Sequence, residues 1–393
     1  MYKRKIFNDP VYGFISFEYD LLYDLIEEPL FQRLRRIKQC GLSDYVYPGA
    51  LHTRFHHALG ATHLMQQAIQ VLRQKGVSIS HDEAEAVCIA ILLHDIGHAP
   101  FSHALEGIFT NQSHEDISLR IFHHLNGQYN GALDLAIRIF TGQYPNRFLH
   151  QLVSGQLDMD RMDYLNRDSY FTGVAEGIIG YDRIIKMLDV RDDKLVVEEK
   201  GIYSIEKFLI ARKIMYWQVY LHKTVIAAEQ MLRLFITEAR SSQEMHHWCG
   251  DFNPLIFQDQ MDNATFMENF TSFDDYDIVG LLKKTAHKQN DPLLSYLAKG
   301  LLERKLFKVI TSFDSIDPDS LQTLKQEISR HLGGDRFVKL VIAGSETNTL
   351  YREGDDEILI LKKSGETETF SKVAGFSHTP HELTKYYVCH PRF

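Results

Sequence analysis

The chain is poor in what several function classes require. Its 393 residues hold four cysteines, Cys40, Cys88, Cys249 and Cys389, far apart and with no C-x-x-C pair. That spacing excludes a disulfide frame or zinc knuckle and reads as free thiols in a reducing compartment. No apolar run approaches the roughly 18–20 residues of a membrane span, and the start Met1-Tyr-Lys-Arg-Lys lacks the apolar core of a signal peptide. A basic excess is missing too: 43 Lys and Arg stand against 52 Asp and Glu, a net charge of -9. Nothing in that balance indicates nucleic acid or an anionic membrane as a partner. Internal repeats and low-complexity tracts are absent. Together these absences point to a cytoplasmic globular protein.

Histidine is abundant. Of 20 in the chain, 11 fall between His52 and His124, and such clustering is what a metal or phosphate site needs. The central stretch is Cys88-Ile-Ala-Ile-Leu-Leu-His94-Asp95-Ile-Gly-His98. Ser80 and Glu83 have capping-box spacing, and Ala84, Val87, Ile91 and Leu92 recur at helical intervals. This predicts a core helix from Ser80 that stops at Gly97, with His94 and Asp95 in its last turn. Polar groups there are costly unless something binds them.

The rest of the pattern is mainly helical. Residues 6–15 read as a short hairpin, and Pro29 divides Glu18–Gln39 into two helices. Helices are expected over Arg54–Lys75, Ser113–His124, Gly131–Phe140, Phe148–Ser154 and Asp158–Asn166, with a small hairpin over Leu188–Glu199. Tyr203–Arg240 is the longest helical pattern. Further helices are expected at Asp274–Ala286, Pro292–Glu303 and Asp319–His331, and strands at Val338–Ala343, Glu357–Leu361 and Thr367–Phe370. The fold class is therefore mainly α, with a small α+β C-terminal lobe. Residues 241–275 are polar and poorly periodic, which places a soft boundary between a core over 1–240 and an assembly region over 241–393.

His57, the adjacent His94-Asp95 and a carboxylate in Leu157-Asp-Met-Asp160-Arg-Met-Asp163 make the case for a metal. Two imidazoles and two carboxylates suit a single divalent ion such as Mn, Fe, Ni, Co or Zn, and so few protein ligands leave positions open for water and substrate. From spacing alone Asp158, Asp160 and Asp163 are equal candidates for the fourth ligand.

With these segments in order the sequence resembles the HD-domain deoxynucleoside triphosphate triphosphohydrolases, the bacterial dGTPase-type enzymes and the animal enzyme that joins a SAM domain to an HD domain. The resemblance runs over roughly residues 5–235 and is carried by Lys5–Gly13, Phe31–Gln39, Tyr45–Ala50, Arg54-Phe-His-His57, Leu93–His103, His114-Glu115, Leu157–Asp168 and Tyr220-Leu-His-Lys223. It implies an HD-type helical bundle, with the chain starting at the hairpin and so without a SAM domain. It selects Asp160 as the fourth ligand and places His98, His103 and His114, with Glu106, near the α-phosphate, His103 being the candidate proton donor to the leaving 5′-oxygen. Arg54, Arg161 and Arg212 correspond to phosphate-binding positions, and Gln39 and Asp168 to those holding the 3′-hydroxyl. Tyr220 corresponds to the aromatic that leaves no room for a 2′-hydroxyl, and Tyr164 to another sugar-phosphate contact. Tyr216 departs from the animal enzyme's histidine.

The resemblance also implies a regulatory nucleotide site, for GTP or dGTP, at Lys5, Ile6, Asn8, Glu27, Gln32, Arg35 and Lys223, within a dimer or tetramer. These residues could equally pack a subunit interface. The implied reaction is metal-dependent hydrolysis of a deoxynucleoside triphosphate (dNTP) to deoxynucleoside and triphosphate, with Mg a candidate companion of the substrate. The alternatives are an HD hydrolase of nucleoside monophosphates or cyclic nucleotides, and a non-catalytic nucleotide-binding module.

Overall fold

The computed structural model describes residues 5–248, 252–258, 261–287, 291–349, 351, 354, 357–374 and 382–392. Strands β1 (Phe7–Asp9) and β2 (Gly13–Ile15) pair antiparallel, and α1 (Asp20–Glu27) and α2 (Pro29–Gln32) follow, Pro29 occupying the first position of α2. The long helix α3 (Arg54–Gln74) packs on α4 (His81–Leu93). Ser80 and Glu83 form the expected capping box at the start of α4. Next come α5 (His114–Gln128), α6 (Asp134–Phe140), α7 (Arg147–Val153), α8 (Met159–Thr172) and α9 (Tyr181–Met187).

The hairpin of β3 (Leu188–Arg191) and β4 (Lys194–Glu198) leads to α10 (Ile202–Met215), α11 (Lys223–Ser241) and α12 (Gln243–Trp248). The helices α13 (Asn263–Ser272), α14 (Asp275–Ala286) and α15 (Pro292–Leu302) then pack back on the body. At the end lie β5 (Lys308–Ser312), α16 (Pro318–Leu332), β6 (Ile342–Thr349), β7 (Leu359–Leu361), β8 (Thr367–Thr369), α17 (Phe370–Val373) and β9 (Glu382–His390). One sheet runs β3-β4-β7-β8 and another β5-β9-β6. The molecule is mainly α with a small sheet-bearing C-terminal lobe.

Three expectations are corrected. The continuous pattern over Tyr203–Arg240 is broken: α10 widens into a π-turn over Tyr216–Tyr220, and α11 restarts behind His222, whose ring accepts the Thr224 N–H. Val338–Ala343 is not one strand, because a 3-10 turn occupies Asp335–Leu340 and β6 begins only at Ile342. The helix predicted to run to Gly97 ends at Leu93. Gly97 does not cap it; a Cβ at Gly97 would run into the backbone of His114 and Ser118, so its absence lets α5 sit directly against the His94–His98 turn. Strands β5 and β9, paired antiparallel, were not expected from the sequence, since neither segment carries a strong alternating pattern. Cys40, Cys88 and Cys389 are free and buried; Cys249 lies outside the described residues.

One continuous core contains Leu64 and Leu92 from the N-terminal half together with Phe270, Phe273 and Leu297 from beyond residue 241. From the polar stretch before α14, Asn263 accepts a hydrogen bond from Arg120 of α5, whose guanidinium also lies over the Phe266 ring.

Candidate active site

Three helices bring the carboxylates and imidazoles together. His57 is in the first turn of α3, His94-Asp95 follows α4, and Asp160 is in the first turn of α8. α8 approaches α3 at Gly60, where a Cβ would collide with Asp163 and Arg167. Among the three carboxylates that spacing left equivalent, Asp158 caps α8, accepting the N–H groups of Arg161 (2.8 Å) and Gly155 (2.9 Å). Asp163 takes the Nδ1–H of His57 at 2.7 Å. Asp160 remains, and its Oδ1 is 3.1 Å from His57 Nε2 and 3.5 Å from His94 Nε2. Asp95 closes the set, 3.6 Å from His57 Nε2 and 3.5 Å from His94 Nε2.

These separations match donors sharing one ion, since ligand distances of about 2.0–2.2 Å put neighbouring donors about 3.0–3.6 Å apart. The tautomers agree. His94 donates from Nδ1 to the Ile91 carbonyl at 2.7 Å and His57 from Nδ1 to Asp163, which leaves both Nε2 lone pairs facing carboxylate oxygens. Neither Nε2 atom has a hydrogen-bond partner although both are buried. Lone pair against lone pair is repulsive unless a cation lies between. The field around the ring is strongly negative: burial would lower the His57 pKa, but the carboxylates of Asp160 and Asp163 push it up to about 10, so the site favours a positive charge between ring and acids. The residues fit a divalent ion.

A second cluster adjoins the first. Glu106 braces two imidazoles, His103 Nδ1 at 2.8 Å and His114 Nδ1 at 2.6 Å, and those hydrogen bonds hold its carboxyl far below the usual range. His98 stacks on His114 with ring centres 4.0 Å apart; burial, then Arg54, keeps it neutral. The loop carrying these rings bends at Phe101 and Ser102, both with left-handed backbone (φ 57° and 56°). Buried Asp275 anchors that bend by accepting the Phe101 N–H at 2.7 Å and the Lys38 N–H at 2.9 Å. Arg33, fully buried, donates to the carbonyls of Phe273 (2.5 Å) and His98 (2.6 Å).

A cavity of about 550 Å³ opens beside both clusters. Asp95, Asp160, His103, His114, Arg54, Arg212, Gln39, Tyr164, Asp168, Tyr216 and Tyr220 all line it. Arg54 is held by Asp95 and by Ser102 Oγ. Tyr216 and Tyr220 reach the wall from the π-turn, an irregularity common at functional sites. Tyr220 donates its hydroxyl to Asp168 at 2.6 Å, and His52, stacked on Phe171, sits 2.7 Å from the other oxygen of Asp168.

Some expected residues are elsewhere. Arg161 does not line the cavity; its guanidinium pairs with Asp158 and the Gly155 carbonyl. Lys5 pairs with Glu27 at 2.6 Å near an exposed Ile6, Asn8 is within β1, and Arg35 joins Gln32 while lying over the Phe55 ring. Lys223 begins α11. Sequence reasoning missed His52, Asp275 and Glu229. Their only local signal is a polar side chain inside an apolar pattern, which many solvated residues share.

The HD domain family matches residues 54–168 and the HD associated region residues 179–248. A crystal structure of a phosphohydrolase from Bacteroides thetaiotaomicron is 48% identical with a TM-score of 0.91, over 99% of this chain and 100% of that one. YwfO, an uncharacterized protein of Bacillus subtilis, is 30% identical over 97% of this chain and 92% of its own length. The deoxynucleoside triphosphate triphosphohydrolase SAMHD1 of Bos taurus is 28% identical over 84% of this chain, which spans 61% of that protein. Among the described residues no helix is long and apolar enough to cross a membrane. By its matched domain and its full-length relatives, the chain belongs to the HD-domain phosphohydrolase family.

Proposed function

We propose that the protein hydrolyses deoxynucleoside triphosphates to deoxynucleoside and triphosphate. The observation that carries this reading is that one cavity is lined by Asp95 and Asp160, His103 and His114, Arg54 and Arg212, and the Asp168–Tyr220 pair. His57, His94, Asp95 and Asp160 would hold a divalent ion, which when bound would supply Lewis-acid polarisation and activation of water.

The chain's own residues do the rest. Glu106 fixes the Nδ1–H of His103 and leaves its Nε2 to deliver a proton to the departing 5′-oxygen, with His114 held in parallel. Arg54 and Arg212 neutralise the polyphosphate. Asp168 accepts the 3′-hydroxyl while the Tyr220 ring closes the space a 2′-hydroxyl would need. Likeness to SAMHD1 supports the substrate class.

The reading is tested by incubating the protein with Mn and each dNTP and identifying the products. Inorganic tripolyphosphate, lost with Asp160→Ala, is the expected result; orthophosphate alone would move the substrate to a monophosphate.

A further inference from the structure

Two acids on the cavity wall have no part in the proposed hydrolysis, and a role for them rests on the cavity being a deoxynucleotide site. Glu229 comes from α11 and Glu346 from β6 of the C-terminal lobe. The Glu229 Oε1 atom would be 3.4 Å from a Cβ at Gly41, so it stands beside the Gln39-Cys40 end of the cavity, and its charge acts on the Cys40 thiol. Glu346 faces Tyr216 and Glu229, whose acidities it alters.

Among the described residues neither carboxyl has a hydrogen-bond or ion-pair partner. Arg233, one turn further along α11, is the cation whose charge bears on both, yet its guanidinium donates to the carbonyls of Ala104 (2.9 Å) and Glu106 (3.3 Å). Unpaired acids at the edge of a binding cavity are costly until a ligand supplies donors.

With the phosphates on Arg54 and Arg212 and the 3′-hydroxyl on Asp168, as in the proposed function, the part of the cavity left for the base includes the Gln39-Cys40 end, where Glu229 stands. We propose that Glu229 and Glu346 form the base-reading wall of this cavity and favour bases with an exocyclic amino group over thymine. Adenine, cytosine and guanine each offer amino N–H donors to a carboxyl group, whereas thymine presents two carbonyl oxygens around one N–H. Facing an ionised carboxylate, those carbonyls set lone pair against lone pair. Burial and the charge of Glu346 push the Glu229 carboxyl up to about 8. Amino N–H donors from a base stabilise the ionised, acceptor-only form of that carboxyl, which thymine with its single N–H flanked by carbonyls does far less. Ionised, it accepts from both guanine donors.

The test compares kcat/KM for dATP, dCTP, dGTP and dTTP in the wild type, Glu229→Gln, Glu346→Gln and the double variant, together with calorimetric binding of the same four nucleotides. dTTP should trail the others by about tenfold or more in wild type, and the double variant should bring it within about threefold. Equal use of all four bases by the wild type, or variants that scale all four alike, would overturn the proposal. Absence of tripolyphosphate would sink the hydrolase reading alone, because the order of binding still decides this one.

Discussion

The Nδ1–H of His57 is donated to Asp163 Oδ2 at 2.7 Å, inside a chain that continues through Arg167 to Asp9. Arg167 holds both oxygens of Asp163 at 2.9 Å and reaches Asp9 at 2.7 Å, and every group in the chain is buried. The turn of the N-terminal hairpin thereby fixes the direction of a metal-ligating ring on α3. Imidazole aim is set by what the other nitrogen touches.

Asp163→Asn should lower metal affinity by about 10–100-fold without removing a ligand. It should also lower stability by about 3 kcal/mol, since the buried Arg167 loses one of its two carboxylate partners. Metal content by mass spectrometry and a urea melt measure the two effects. Unchanged metal affinity would mean that His57 does not need this partner.

Glu106→Gln removes the anion shared by His103 and His114 and lets their rings turn. Turnover should fall about 10²–10⁴-fold while metal content stays at the wild-type value. Loss of metal in this variant would place Glu106 in the ligand set instead.

Asp275→Ala cuts the acceptor for the Phe101 and Lys38 N–H groups. Two buried donors without partners should cost about 2–4 kcal/mol, and the left-handed pair Phe101-Ser102 should relax. Hydrogen exchange at Phe101 and Lys38 should rise together, and turnover should drop with it.

Glu229→Gln should raise the melting temperature near neutral pH. Glu229 faces Glu346, Cys40 and Arg233, and burial, with Glu346, puts its folded pKa at about 8 against an ordinary 4.5. The unfolded chain releases this proton above about pH 4.5 and the folded one does not, so stability attributable to Glu229 falls between pH 4.5 and 8. The advantage of Gln over Glu should therefore grow across that window and level off above it. A flat difference from pH 4 to pH 9 would contradict the assignment.

How much of the fold and site was legible depends on where each signal lies. The Ser80–Glu83 capping box, the Pro29 break, and His94-Asp95 at the end of an apolar run are local, and the structure has all three. Resemblance of ordered motifs named the metal set, and the tertiary structure separates Asp158, Asp160 and Asp163 by the atom each one faces. The π-turn at Tyr216–Tyr220 escaped because its residues continue a helical pattern; widening the turn changes which side chains share a face without changing composition. Asp275 escaped because its partners, Lys38 and Phe101, lie more than 170 residues away.

By itself the sequence determined a mainly helical chain and a histidine-rich stretch whose residue types suit a divalent ion, since periodicity, caps and donor chemistry are properties of neighbours along the backbone. Only the tertiary structure decided that Asp160 faces both imidazoles, that Arg161 turns back on Asp158, and that Glu229 and Glu346 meet across one cavity. Those outcomes depend on how closely α8 nests on α3 and how the β5-β9-β6 sheet sits on α11 through β5, and such contacts are fixed by packing between segments far apart in the chain.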